Sequence, residues 1–128
     1  MTEKPLILLV DDERDILEIY KTGLEEKGFR VTTAENGLTA FDAVKAERPD
    51  LILLDLKMPV MNGAEFMIKL NADPKLKDIK VVFLTAFSDP AFPDMDLKYA
   101  KELGAKDFIK KGIGLDQFVK MVEEHLRG

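Results

Sequence analysis

Three times this chain runs through four or five consecutive apolar residues and then stops at a polar group. Leu6-Ile7-Leu8-Leu9-Val10 stops at Asp11-Asp12-Glu13, Leu51-Ile52-Leu53-Leu54 stops at Asp55, and Val81-Val82-Phe83-Leu84 stops at Thr85. Runs this short and this continuous suit strands buried on both faces of a parallel sheet, whereas a half-wet antiparallel strand alternates polar and apolar residues. Between the runs the period changes. Ile16, Leu17, Tyr20 and Leu24 recur at helical spacing with charged residues among them, as do Ala40, Phe41, Ala43 and Val44, and Phe66, Met67 and Leu70.

Strands are expected at 6–10, 29–33, 50–54, 80–84 and 107–110. Helices are expected at 13–27 and 38–47, from Gly63 to the Asp73-Pro74 stop, at 95–103 and at 115–126. Asp11 or Asp12 is available to cap the first helix, Gly28 to end it, and Glu35-Asn36-Gly37 to form a turn. Residues 86–94, with two prolines and two aspartates, form the longest expected loop. Five alternating β-α units predict an α/β fold with right-handed crossovers and helices on both faces of a parallel sheet. The expected strand order is 2-1-3-4-5, the flavodoxin-like doubly wound order, which places the first, third and fourth strands together at the middle. Ligands of such sheets bind at the carboxyl ends of the strands. Asp11, Asp55 and Thr85 are all at that edge.

The length of 128 residues fits one domain spanning 1–128. With no cysteine there is no disulfide framework and no thiolate metal site, and the single histidine, His125, excludes a multi-histidine one. His125 and the cluster Lys75, Lys77 and Lys80 are expected on the solvated surface. A net charge of −5 gives no footprint for direct nucleic-acid binding. No apolar stretch reaches the roughly 18 residues of a membrane span, and no signal-peptide core follows the N-terminus. The expectation is a cytoplasmic protein without membrane contact.

If Asp11, Asp12 and Asp55 meet, they need a counter-charge. A hard divalent cation such as Mg²⁺ supplies it through oxygen ligands, and so does an ammonium group. The strand at 107–110 runs into Lys110 and Lys111, and alternation sends these two lysines to opposite faces. A carboxylate beside a metal and an ammonium is equipped to attack phosphorus, since phosphoryl transfer needs mainly positioning and charge stabilisation. A solvated acidic rim is the plain alternative.

The whole chain resembles the CheY-like receiver domain of two-component response regulators. Asp11 and Asp12 match the acidic pair. The stretch Asp55-Leu56-Lys57-Met58-Pro59-Val60-Met61-Asn62-Gly63 matches the phosphoacceptor segment, Thr85-Ala86 the switch dipeptide, and Gly104-Ala105-Lys106-Asp107-Phe108 the last strand. The resemblance implies phosphorylation of Asp55, with Thr85 and Lys111 as its catalytic partners. The lysine falls on Lys111, with Lys110 its rival. Mg²⁺ would be held by Asp11, Asp12, Asp55 and the backbone carbonyl of Lys57, whose side chain would lie beside the phosphoryl group. Thr85 and Phe108 would carry the switch to the face built by the fourth helix, fifth strand and fifth helix.

The partners so implied are a histidine kinase or histidine phosphotransfer protein and an unknown output protein, for an apparently stand-alone receiver. The resemblance also implies a phospho-switch that catalyses its own phosphoryl acceptance and slow hydrolysis, and not a separate enzyme. The chain departs from the family at Gly112, where proline is usual and often cis, at Phe108, where tyrosine is common, and in a longer segment between Thr85 and Gly104. The Gly112 departure sustains an alternative, a receiver-like interaction module that is not phosphorylated. A phosphatase using an aspartyl-phosphate would need an acid where Lys57 stands, and the acidic loop after the first strand would repel a flavin phosphate.

Overall fold

The apolar runs pair side by side. In the computed structural model, which describes residues 4–56, 61–85 and 97–127, the strands are β1 (Leu6–Val10), β2 (Arg30–Ala34), β3 (Leu51–Asp55), β4 (Val81–Thr85) and β5 (Asp107–Lys110). The helices are α1 (Arg14–Glu26), α2 (Gly37–Ala46), α3 (Gly63–Ala72), α4 (Leu97–Glu102) and α5 (Leu115–Arg127). All strand pairs are parallel and the order is β2-β1-β3-β4-β5, as expected. Every residue of β1, β3 and β4 is buried.

The two-residue period of a strand divides each apolar run between two cores. Leu8, Val10, Ile52, Leu54, Val81 and Phe83 face α2 and α3, where Val44, Phe66, Met67 and Leu70 meet them. Ile7, Leu9, Leu51, Leu53, Val82 and Leu84 face α1 and α5, where Leu17, Tyr20, Leu24, Phe118, Val119 and Val122 close over them. Helices on both faces leave the strand ends as the place where polar side chains gather.

Several expected boundaries move by one residue. Asp55 and Thr85 are the last residues of their strands and not the first of loops, because Asp55 pairs with Leu84 and Thr85 with Lys110. A polar side chain at a strand end does not stop its backbone from joining the ladder. Gly37 opens α2 instead of completing a turn. Asn36 and Thr39 form a capping box there, and the Gly37 N–H donates to Met61 O at 3.0 Å. Gly28, at φ +95°, ends α1: its N–H donates to Glu25 O while Phe29 N–H donates to Leu24 O.

The expected surface position of His125 is corrected. Its Nε2 lies 3.1 Å from Asp107 Oδ2, and its side chain is only 23% exposed. Lys80 is half-buried and donates to His125 O at 3.1 Å, whereas Lys75 and Lys77 are exposed as expected. The last turn of α5 packs over the entrance to β4, which sequence spacing does not reveal. The loop expected at 86–94 and the start of the fourth helix lie outside the described residues.

Candidate phosphoacceptor site

Parallel pairing brings the ends of β1, β3, β4 and β5 to one edge. Among the described residues, the buried polar side chains are Asp11, Asp55 and Thr85, and all three are at this edge. A buried carboxylate needs a partner. Lys111, the first residue after β5, supplies it. Its Nζ lies 2.7 Å from Asp11 Oδ2, 3.0 Å from Asp55 Oδ2 and 3.4 Å from Glu13 Oε1. Its backbone N–H donates to Thr85 O at 2.7 Å, tying the lysine to the end of β4. Lys110, the rival, belongs to β5 and its side chain is exposed.

Asp11 follows β1 directly, and its second oxygen has a separate task. Asp11 Oδ1 accepts from Glu13 N–H at 3.0 Å, so this aspartate shapes the turn into α1. The expected cap is thus met from outside the helix, since Glu13 at the N-cap position makes no side-chain cap bond. The Glu13 carboxylate instead reaches Lys111. Sequence reasoning did not assign Glu13 to the site, although the run Asp11-Asp12-Glu13 at a strand end was a signal for it.

Burial pushes the Asp11 carboxyl above its ordinary value, and the hydrogen bond and charge of Lys111 offset only part of this. For Lys111, burial disfavours the charged form, but the hydrogen bond to Asp11 and the charge of Asp55 outweigh it and raise its pKa. The ammonium is therefore locked in its charged form beside Asp55.

Asp12 is exposed on the open side of the cluster. Carboxylate oxygens of Asp11, Asp12 and Asp55 lie within 4.8 Å of one another. An all-oxygen donor set on an open rim fits a hard divalent ion that keeps several waters, which describes Mg²⁺. The expected fourth contributor, the Lys57 carbonyl, lies outside the described residues.

Phe108, in β5, is half-buried against the core formed with α2 and α3. The described residues contain no cis peptide bond, so the Lys111–Gly112 bond is trans, and Gly112 has φ +95°. Among the described residues, no helix is long and apolar enough to cross a membrane.

Comparison with known proteins places this geometry in context. The chain is 36% identical over 126 residues to Sporulation initiation phosphotransferase F of Bacillus subtilis, covering 98% of this chain and 95% of that one. It is 28% identical over 120 residues to the polar-differentiation response regulator DivK of Brucella anthropi, covering 94% of each. The receiver domain of a signal transduction histidine kinase from Syntrophus aciditrophicus superposes with a TM-score of 0.82 at 35% identity, covering 97% of this chain and 91% of that one. Residues 7–123 match the family described as the response regulator receiver domain. With that match across most of its length, the chain belongs to the response regulator receiver domain family of two-component signalling.

Proposed function

We propose that this receiver domain accepts a phosphoryl group on Asp55 from a histidine kinase or histidine phosphotransfer protein. The observation that carries this reading is the placement of Lys111 Nζ 3.0 Å from the buried Asp55, with Asp11 and Asp12 alongside. An oxygen of Asp55 attacks phosphorus, the P–N bond to the donor histidine breaks, and the imidazole leaves with the bonding pair and takes a proton from water. Lys111 stabilises charge on the transferring oxygens, and Thr85 donates its hydroxyl to one of them. Asp11, Asp12, Asp55 and the Lys57 carbonyl would hold Mg²⁺, whose positive charge offsets the repulsion between carboxylate and phosphate when bound.

Hydrolysis of the aspartyl phosphate resets the switch. Thr85 and Phe108 shift together on phosphorylation and change the face formed by α4, β5 and α5, which binds an output protein in the cytoplasm. This is a phospho-switch across residues 1–128 and not an enzyme with a separate substrate. The name of the Bacillus relative, a phosphotransferase, agrees with a relay role. The alternative, a module that is never phosphorylated, drew its support from Gly112, yet Lys111 reaches both Asp11 and Asp55 with glycine in that place. Borohydride reduction of the phosphorylated protein followed by peptide mass analysis tests the assignment. Homoserine at position 55 is expected, and modification at any other aspartate would refute it.

A further inference from the structure

Three carboxylates surround the Lys111 ammonium, which carries three N–H groups. Asp11 Oδ2 stands at 2.7 Å, Asp55 Oδ2 at 3.0 Å and Glu13 Oε1 at 3.4 Å. They differ sharply in exposure: the Asp11 and Asp55 side chains are 0% and 6% exposed, that of Glu13 61%. Glu13 also departs from the habit of its position. It is the N-cap of α1, where a side-chain oxygen ordinarily accepts from a free N–H of the first turn, and it makes no such bond. Its backbone is nonetheless held on both sides. Glu13 N–H donates to Asp11 Oδ1 at 3.0 Å, and Glu13 O accepts from Leu17 N–H at 3.1 Å. A carboxylate with no capping task is thus fixed at the rim of the site, and Lys111 donates to it.

We infer that Glu13 is a positioning residue for Lys111: it holds one N–H of the ammonium at rest and yields it to the phosphoryl group on Asp55. This rests on the phosphoacceptor reading of the site. A phosphoryl group brings roughly two negative charges to the same ammonium, so an existing pair must loosen. Asp55 is itself the acceptor. Separating Lys111 from Asp11 would leave a buried carboxylate without its counter-charge, a costly change. Separating it from Glu13 costs little, because water replaces the ammonium on an exposed carboxylate. The longest and wettest of the three contacts is therefore the one that yields. At rest the same contact works against phosphorylation, since it occupies a donor that the incoming group needs.

Glu13→Gln keeps an oxygen in that place and removes the charge. The test is a cycle on the full chain: wild type, Glu13→Gln, Lys111→Met and the double variant, each followed by initial rate of mass gain with acetyl phosphate and Mg²⁺. Loss of an exposed ion pair predicts about threefold faster uptake in Glu13→Gln and no change from the same substitution on the Lys111→Met background. No gain in Glu13→Gln overturns the inference. So does an equal gain on both backgrounds, for Glu13 would then act as a general repulsive charge. A second readout is the Glu13 carboxyl carbon by NMR. In the unphosphorylated protein, Lys111→Met is expected to shift it toward its value in the urea-unfolded chain, and phosphorylation of wild type to shift it the same way. A resonance that stays in place on phosphorylation overturns the inference. This wild-type readout decides alone where Lys111→Met does not fold or reacts too slowly to measure. If wild type takes up no phosphoryl group from any donor, the phosphoacceptor reading fails and this inference with it; uptake without movement of Glu13 refutes the inference only.

Discussion

Lys111 Nζ stands between Asp11 Oδ2, at 2.7 Å, and Asp55 Oδ2, at 3.0 Å, at the point where β1 and β3 end. One ammonium thus serves two buried carboxylates that come from strands 44 residues apart in sequence, with Glu13 adding a third carboxylate at 3.4 Å. The excess of negative charge here has consequences for metal binding and for the pH dependence of stability.

A bound cation relieves this excess. At ten times its dissociation constant, Mg²⁺ is expected to add about 1.4 kcal/mol to stability by mass action. The check is the urea midpoint with and without the ion. Asp12→Asn removes one ligand charge from the exposed side of the cluster and leaves the buried pair intact, so most of the gain should vanish. An equal gain in that variant would show that the ion binds elsewhere.

The pH dependence follows from raised pKa values at both Asp11 and Lys111, which act in different pH ranges. Asp11 has a folded pKa above its ordinary 3.8, so it binds its proton more tightly folded than unfolded, and the stability this lends fades as pH rises through the raised value. Lys111 has a folded pKa above its ordinary 10.5, so its contribution is complete at neutral pH and declines only at strongly alkaline pH. Without metal, Asp11→Asn should therefore gain on wild type as pH rises above 4, while keeping the Oδ1 acceptor for Glu13 N–H. Denaturant midpoints at pH 4, 5.5 and 7 measure the difference. A difference that shrinks as pH rises contradicts this account.

Two glycines near the site are needed for different reasons, and substitution separates them. Gly112→Ala meets no atom but must adopt φ +95°, a cost of about 1–2 kcal/mol that Asn, tolerant of positive φ, partly recovers. At Gly37 a Cβ would stand 2.5 Å from Met61 O, a backbone atom that cannot swing aside. Gly37→Ala is expected to cost about 1–3 kcal/mol from overpacking, with Asn at least as damaging as Ala. Guanidinium unfolding of the four variants decides it. Rescue of Gly37 by Asn would refute the steric account.

Much of this was legible in the sequence, because β1, β3 and β4 are apolar throughout and parallel strands must deliver their last residues to a common edge. Asp11, Asp55 and Thr85 could be placed at that edge from pattern alone, whereas the choice of Lys111 over Lys110 came from the resemblance to the receiver family, counted on from Gly104. What stayed hidden depends on tertiary contact. His125 reads as a surface residue because the histidine–Asp107 pair joins α5 to β5 across a distance no local period encodes. Glu13 reads as a helix-start residue, and its reach to Lys111 exists only once β5 lies beside β4.

The central claim is tested most directly by intact mass after incubation with acetyl phosphate, with and without Mg²⁺, for wild type and Asp55→Asn. The account predicts a gain of one phosphoryl unit in wild type that requires Mg²⁺ and is absent in Asp55→Asn. A gain of the same size in Asp55→Asn, or no gain in wild type from acetyl phosphate or from any of a panel of phosphorylated histidine kinases, would contradict it.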